Sequence, residues 1–115
     1  MFRFEELQIW RRAVEYGKDC YKVTEEFPRH EMYSLGDQLR RAGISIPSNI
    51  AEGSVGSAAN FKKYLVIAIG STLETVNLIN FAYEVSYVSL EVKEAMYEKA
   101  ENLVKMIRGF LKSLK

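Results

Sequence analysis

Residues 38–53 read Gln38-Leu39-Arg40-Arg41-Ala42-Gly43-Ile44-Ser45-Ile46-Pro47-Ser48-Asn49-Ile50-Ala51-Glu52-Gly53. Met32 and Leu35 upstream join Leu39, Ala42 and Ile46 in an apolar row spaced 3, 4, 3, 4. That is the repeat of a helix face and not of a strand. Pro47 interrupts the row, which resumes at Ile50 and Ala51. A proline inside a helix removes one hydrogen bond and crowds the carbonyl four residues back. Here that residue is Gly43, where the backbone can yield. The stretch predicts one helix over about residues 30–52, bent near Gly43–Pro47, with a break into two helices as the alternative. A second, polar row runs through Arg41, Ser45, Ser48 and Glu52, with Asn49 beside it. Ser and Asn are poor helix formers, and a free surface usually carries Lys, Glu or Gln. Two readings stay open for this row: a solvated face, or an interface where another helix approaches closely. Glu74 is a candidate partner for Arg40 or Arg41.

Outward from this stretch the punctuation is sparse. Phe27-Pro28-Arg29-His30 breaks the chain before it, and Gly53-Ser54-Val55-Gly56-Ser57 after it. Ser86-Tyr87-Val88-Ser89 is a third, weaker break. Leu7, Trp10, Val14, Gly17, Tyr21 and Thr24 form an apolar row before the first break, with Ala13, Cys20 and Phe27 widening it. They predict a helix over about residues 5–26. Ser57 can cap a third helix, about 58–86, and Ser89 a fourth, about 90–113. The third carries Phe61, Leu65, Ala68, Thr72, Val76, Ile79 and Tyr83; the fourth carries Met96, Ala100, Leu103, Ile107, Phe110 and Leu114. Four long helices with short connections predict a single all-α domain, an antiparallel up-down-up-down four-helix bundle.

Composition excludes whole classes of function. The chain has 115 residues, 48% hydrophobic and 27% charged, with two Pro and one Cys. One domain with a real core fits that length, and disorder does not fit that composition. Sixteen Lys and Arg against fifteen Asp and Glu give a net charge of +1, too balanced for nucleic-acid binding by bulk charge alone. One Cys and one His (Cys20 and His30) exclude a disulfide framework and nearly every zinc site built from protein ligands alone. The most apolar run, Tyr64 to Gly70, is far shorter than the ~20 residues of a membrane span. No signal peptide is legible, so the expectation is a cytoplasmic protein with a reduced thiol and no membrane partner.

No catalytic constellation has a specific spacing, so the residues predict a protein that is not an enzyme, with no cofactor, metal or small-molecule substrate. The Gly53–Ser57 segment lacks the Lys and Ser/Thr of a P-loop, and Gly53 fits a helix C-cap. Gly17, Gly36, Gly43 and Gly70 fall inside predicted helices, at a cost of about 1 kcal/mol each against Ala. The return expected is tight helix contact, with Gly70-Ser71 next to Ala68 the best candidate for a flat strip. Basic residues group at Arg40-Arg41, Lys62-Lys63 and the last segment, Lys105, Arg108, Lys112 and Lys115. These are candidate phosphate contacts; the plainer reading of the last group is cations complementing a helix dipole.

Leu7-Gln8-Ile9-Trp10-Arg11-Arg12-Ala13, Phe27-Pro28, Gln38-Leu39-Arg40-Arg41-Ala42 and Ser45-Ile46-Pro47-Ser48-Asn49-Ile50-Ala51-Glu52-Gly53 together resemble the four helix bundle protein family. Its members are encoded in intervening sequences of bacterial 23S ribosomal RNA genes. Phe61, Leu65, Ala68, Gly70-Ser71 and Glu74 also fit, so the resemblance spans nearly the whole chain. It implies a left-handed antiparallel bundle that assembles as a homopentamer. Accessory proteins of diversity-generating retroelements are relatives, and their basic pentamers bind nucleic acid and a reverse transcriptase. Where the family usually places basic residues after Ala-Glu-Gly, this chain has the uncharged run Ser54 to Asn60. The expected function is a non-enzymatic, self-assembling bundle with RNA as a candidate ligand. The alternative is a scaffold that docks a partner protein, such as a reverse transcriptase, without nucleic acid. Arg41, Ser45, Ser48, Asn49, Glu52, Gly70, Ser71 and Glu74 are the candidate interface residues.

Overall fold

A computed structural model describes all residues, 1–115. The chain forms four α-helices and no strand: α1 (Gln8–Thr24), α2 (Leu35–Gly53), α3 (Ala58–Glu84) and α4 (Leu90–Ser113). Short 3-10 turns at Arg3–Glu6 and Arg29–Glu31 precede α1 and α2. The molecule is a rod of 44 × 23 × 21 Å, as long as its longest helix requires. Each helix packs on its neighbours in chain order, and α4 closes back on α1. Cross-helix pairs run in opposite numerical order: Gly53 lies against Tyr64 while Ser45 bonds Ser71, and Phe61 meets Phe110 edge-on while Tyr83 meets Lys93. Neighbouring helices are therefore antiparallel.

Two helices start later than the apolar periodicity predicts. α1 begins at Gln8 and not near residue 5, because Leu7 is extended (φ −85°, ψ 128°) and ends the preceding turn. This reversal folds Phe4 back edge-on against Trp10, with centroids 5.1 Å apart. α2 begins at Leu35 and not near residue 30. Pro28 opens a tight turn, and Ser34 (φ −122°, ψ −94°) is not helical. The Glu31 carboxylate in that turn accepts from Ser34 and from the Tyr87 hydroxyl at 2.8 Å, tying the first loop to the third. α2 continues through Pro47 to Gly53, so the two-helix alternative does not occur.

Ser57 and Ser89 cap α3 and α4 by accepting from the backbone N–H of Asn60 (3.1 Å) and Val92 (3.2 Å). α3 ends at Glu84, two residues before its predicted end. Ser86 takes a left-handed conformation (φ 67°), Tyr87 N–H bonds Ala82 C=O, and Ser86 N–H bonds Tyr83 C=O. That pair of reversed bonds is the Schellman stop signal.

The core is continuous from end to end. α1 contributes Ile9, Ala13, Tyr16, Cys20 and Val23; α2 contributes Leu39, Ile46 and Ile50. α3 adds Phe61, Leu65, Ala68 and Ile79, and α4 adds Met96, Ala100, Leu103 and Ile107. The α1 row differs from the expected one: Leu7, Trp10 and Val14 are half-buried and Tyr21 is exposed. Two apolar rows lie side by side on α1, and the one carrying Tyr16 and Cys20 faces inward. The Tyr16 hydroxyl is accommodated there by Thr75 Oγ1 at 2.8 Å. Every buried side-chain N and O atom has a partner, as burial demands.

Candidate nucleic-acid end and contact faces

Antiparallel packing brings the start of α1, the start of α3 and the end of α4 to one end of the rod. Lys62, Lys63, Lys105, Arg108, Lys112 and Lys115 therefore gather there, with Lys62 half-buried and the others exposed. Arg3, Arg11 and Arg12 come to the same end. Sequence separation hid them from the basic cluster; the signal that finds them is the closure of α1 on α4, seen where Leu7 and Ile9 meet Met106 and Phe110. Arg3 is partly engaged, with its guanidinium 5.2 Å from the Phe61 ring centroid and 3.4 Å from the Ser54 carbonyl. None of the other cations at this end forms an ion pair. Glu5, Glu6, Glu15, Glu52 and Glu101 are the acids nearest to them along the chain.

Arg40 and Arg41 lie toward the opposite end and are occupied. Arg40 donates to the Met32 carbonyl (2.6 Å) and Thr24 Oγ1 (3.2 Å), and its side chain is only 20% exposed. It fastens the end of α1 to the first loop. Arg41 is 80% exposed and pairs with Asp37, one turn back, at 2.9 Å. Neither arginine reaches Glu74, which is exposed and unpaired. Asp37 wins because it is a neighbour on the same helix face. The remaining ion pairs, Asp19–Lys99 at 2.9 Å among them, also lie away from the cation-rich end.

The polar row of α2 divides. Ser45 Oγ and Ser71 Oγ share a hydrogen bond of 2.8 Å between α2 and α3, and Asn49 Nδ2 donates to the Ser45 carbonyl at 2.8 Å. These three residues form an interface inside the subunit. Arg41, Ser48 and Glu52 face solvent. The glycines divide likewise. Gly17 and Gly43 meet between α1 and α2, and Gly53 sits under Phe61 and Tyr64. Gly70 has open space where a Cβ would be, so the flat strip expected around it is absent from the subunit's own packing.

Three surfaces remain apolar. One is the outer side of α3, where Val66, Ile67, Leu73 and Phe81 are exposed. Another is a groove of about 450 Å³ between α1 and α2, lined by Val14, Tyr21, Ile44 and Pro47, with Lys18 and Lys22 at its edge. The third is a groove of about 250 Å³ between α3 and α4, lined by Leu73, Val76, Tyr97 and Val104, with Glu101 and Lys105 beside them. The cleft between α1 and α4, about 180 Å³, mixes Arg12, Glu15, Asp19 and Lys99 and is bridged by the Asp19–Lys99 pair. No three His, Cys, Asp or Glu side chains come together as a metal-binding group. Burial, and then the neighbouring Asp19 carboxylate, push the Cys20 thiol up to about 12, the opposite of what a nucleophile needs.

Fold and charge layout together define the class: an all-α bundle protein with one cation-rich end, unpartnered apolar faces and nothing that indicates catalysis. Residues 5–109 match the family described as 23S rRNA-intervening sequence protein, and the chain belongs to that family. A solved relative of similar fold is a protein of unknown function from the S23 ribosomal protein family of Bacteroides thetaiotaomicron. The two are 21% identical with a TM-score of 0.82, over 90% of this chain and 98% of that one. No curated protein matches the sequence.

Proposed function

We propose that the chain is a non-enzymatic, cytoplasmic bundle protein that assembles into a homo-oligomeric ring, expected to be a pentamer, and uses its cation-rich end to hold RNA. The observation that carries this reading is a concentration of cations outside any ion pair at one end, against only Lys22, Arg29 and Lys93 in that state elsewhere. Lys63, Lys105, Arg108 and Lys112 share one end, while every ion pair lies elsewhere. A net charge of +1 on one copy understates the local field, and a ring repeats the same end around its axis. The family description names 23S rRNA, which makes structured RNA the first ligand to test. Arg40 contributes to the loop and not to this surface.

The test is binding of structured RNA across a salt series. The logarithm of affinity should fall linearly with the logarithm of salt, by about 0.7–0.9 per phosphate neutralised. Lys105→Glu, Arg108→Glu and Lys112→Glu together should flatten that slope. Absence of measurable binding at low salt would end the RNA reading. The exposed apolar side of α3 supports a second reading, a scaffold that docks a partner protein without nucleic acid. Capture of the same partner from nuclease-treated and untreated lysate would favour it.

A further inference from the structure

α3 is apolar on more sides than its bundle covers. By length and composition it is apolar enough to cross a membrane, yet only 39% of its most apolar stretch is buried. The uncovered part is an ordered ridge, with Val66, Ile67, Leu73 and Phe81 exposed and Gly70 in open space between them. A glycine in a helix costs stability, and Gly70 has no contact inside the subunit to offset it. The ridge also has a sign. No cation occurs between Lys63 and Lys93, and Glu74 and Glu84 are exposed on α3.

The α1–α2 groove is its counterpart. Val14, Tyr21, Ile44 and Pro47 line it, Gly17 and Gly43 form its floor, and Lys18 and Lys22 are the only charged residues in its lining. Lys18 reaches Glu15 at 3.5 Å, but both side chains are more than half exposed and the contact is weak. Two exposed apolar surfaces of opposite curvature and opposite charge, one convex with carboxylates and one concave with ammonium groups, are therefore presented by the same molecule. We infer that the α3 ridge of one copy seats in the α1–α2 groove of the next, with Glu74 and Glu84 facing Lys18 and Lys22.

This assignment rests on the self-assembly reading above and names its contact faces. The contact joins different surfaces of two identical chains, so it leaves one ridge and one groove free for further copies. Such head-to-tail contacts close into a ring when the rotation permits, and two-fold pairing does not use them. The small side of Gly70 lets the ridge approach the groove closely. Glu74, in the middle of the ridge, argues against a bilayer as its cover, because a carboxylate in hydrocarbon is expensive.

Charge reversal tests the pairing, since Lys18, Lys22, Glu74 and Glu84 are all exposed and their replacement leaves the core intact. Circular dichroism would verify the helix content of each variant. In sedimentation velocity at low salt, Lys18→Glu with Lys22→Glu should weaken assembly at least tenfold, and Glu74→Lys with Glu84→Lys should do the same. All four changes in one chain restore complementary signs and should restore assembly. Wild-type protein that assembles and is insensitive to either reversal overturns this contact and leaves self-assembly standing. A monomeric wild type overturns both. Flotation of monomeric wild type with phosphatidylcholine vesicles would in addition give the ridge to lipid.

Discussion

Gly17 of α1 and Gly43 of α2 face each other in backbone contact between those two helices. A Cβ placed on Gly17 would stand 3.1 Å from the Gly43 carbonyl oxygen, and one on Gly43 would stand 3.4 Å from the Gly17 Cα. Pro47 has no N–H to donate to that carbonyl, so it is the one in α2 most free to lean outward. A glycine opposite leaves room for it. Pro47 and the two glycines thus act together: one removes a hydrogen bond, the others let the helices close around the gap.

Gly17→Ala should therefore destabilise the protein even though alanine is the better helix former. The propensity gain is about 1 kcal/mol, while forcing a methyl onto a neighbouring backbone costs roughly 1–3 kcal/mol. Gly109→Ala, where nothing lies within 4 Å, should give the propensity gain alone. Chemical denaturation of the two variants measures the contrast; a Gly17→Ala protein as stable as Gly109→Ala would show that the helices part without cost.

Arg40 and Arg41 are adjacent in sequence and should respond differently to removal. Arg40→Ala breaks two hydrogen bonds from a charged donor to Met32 and Thr24, each worth roughly 1–3 kcal/mol. Arg41→Ala loses one exposed ion pair to Asp37 and should stay within about 0.5 kcal/mol of wild type. The sequence pattern singled out Arg41 as the interface member, so equal losses at both positions would reinstate it.

The helical architecture was legible because breakers are few and apolar spacing is regular between them. The helix ends were less so. An extended Leu7 and a non-helical Ser34 carry no sequence mark that separates them from helix residues. The phase of α1 was ambiguous because two apolar rows adjoin on it, and Val14 and Tyr21 line a groove while Tyr16 and Cys20 face the core. In the candidate site, the pairing of Arg40 and Arg41 with Glu74 failed because Asp37 is closer on the same helix. Arg11 and Arg12 joined the basic end only through the closure of α1 on α4. For Gly70 the sequence pointed to a tight helix contact without saying which helix it would meet, and inside the subunit nothing stands where its Cβ would be.

The Tyr16–Thr75 bond has a direction that mutation can read. Thr75 Oγ1 donates to the Thr72 carbonyl at 2.6 Å, so in the Tyr16 contact the phenol is the donor. Tyr16→Phe removes that donor and leaves Thr75 satisfied, at a cost of about 1 kcal/mol. Thr75→Val leaves a buried phenol with only the Cys20 thiol beside it, and should cost more, roughly 1–3 kcal/mol. The double variant should cost less than the sum. Strict additivity in a double-mutant cycle would mean the bond contributes nothing.

Cys20 should make the fold lose stability in alkali. Burial, reinforced by Asp19, raises its thiol from an ordinary 9.0 to about 12. Between those values the unfolded chain has released a proton that the folded chain still holds. Stability therefore falls as pH rises through that window, with a slope approaching about 1.4 kcal/mol per pH unit, and this group has little effect below about pH 8. Tyr16 is raised in the same direction, chiefly by burial, and it is present in both wild type and Cys20→Ala. The comparison of those two chains isolates the thiol. Wild type should start as the more stable at pH 8, since alanine gives up buried sulfur contacts, and its advantage should shrink steadily from pH 9 to 11. Urea midpoints at four pH values measure this. Parallel curves for the two chains would mean the thiol ionises as readily in the folded protein as in the unfolded one, contrary to its enclosed position against Gly43.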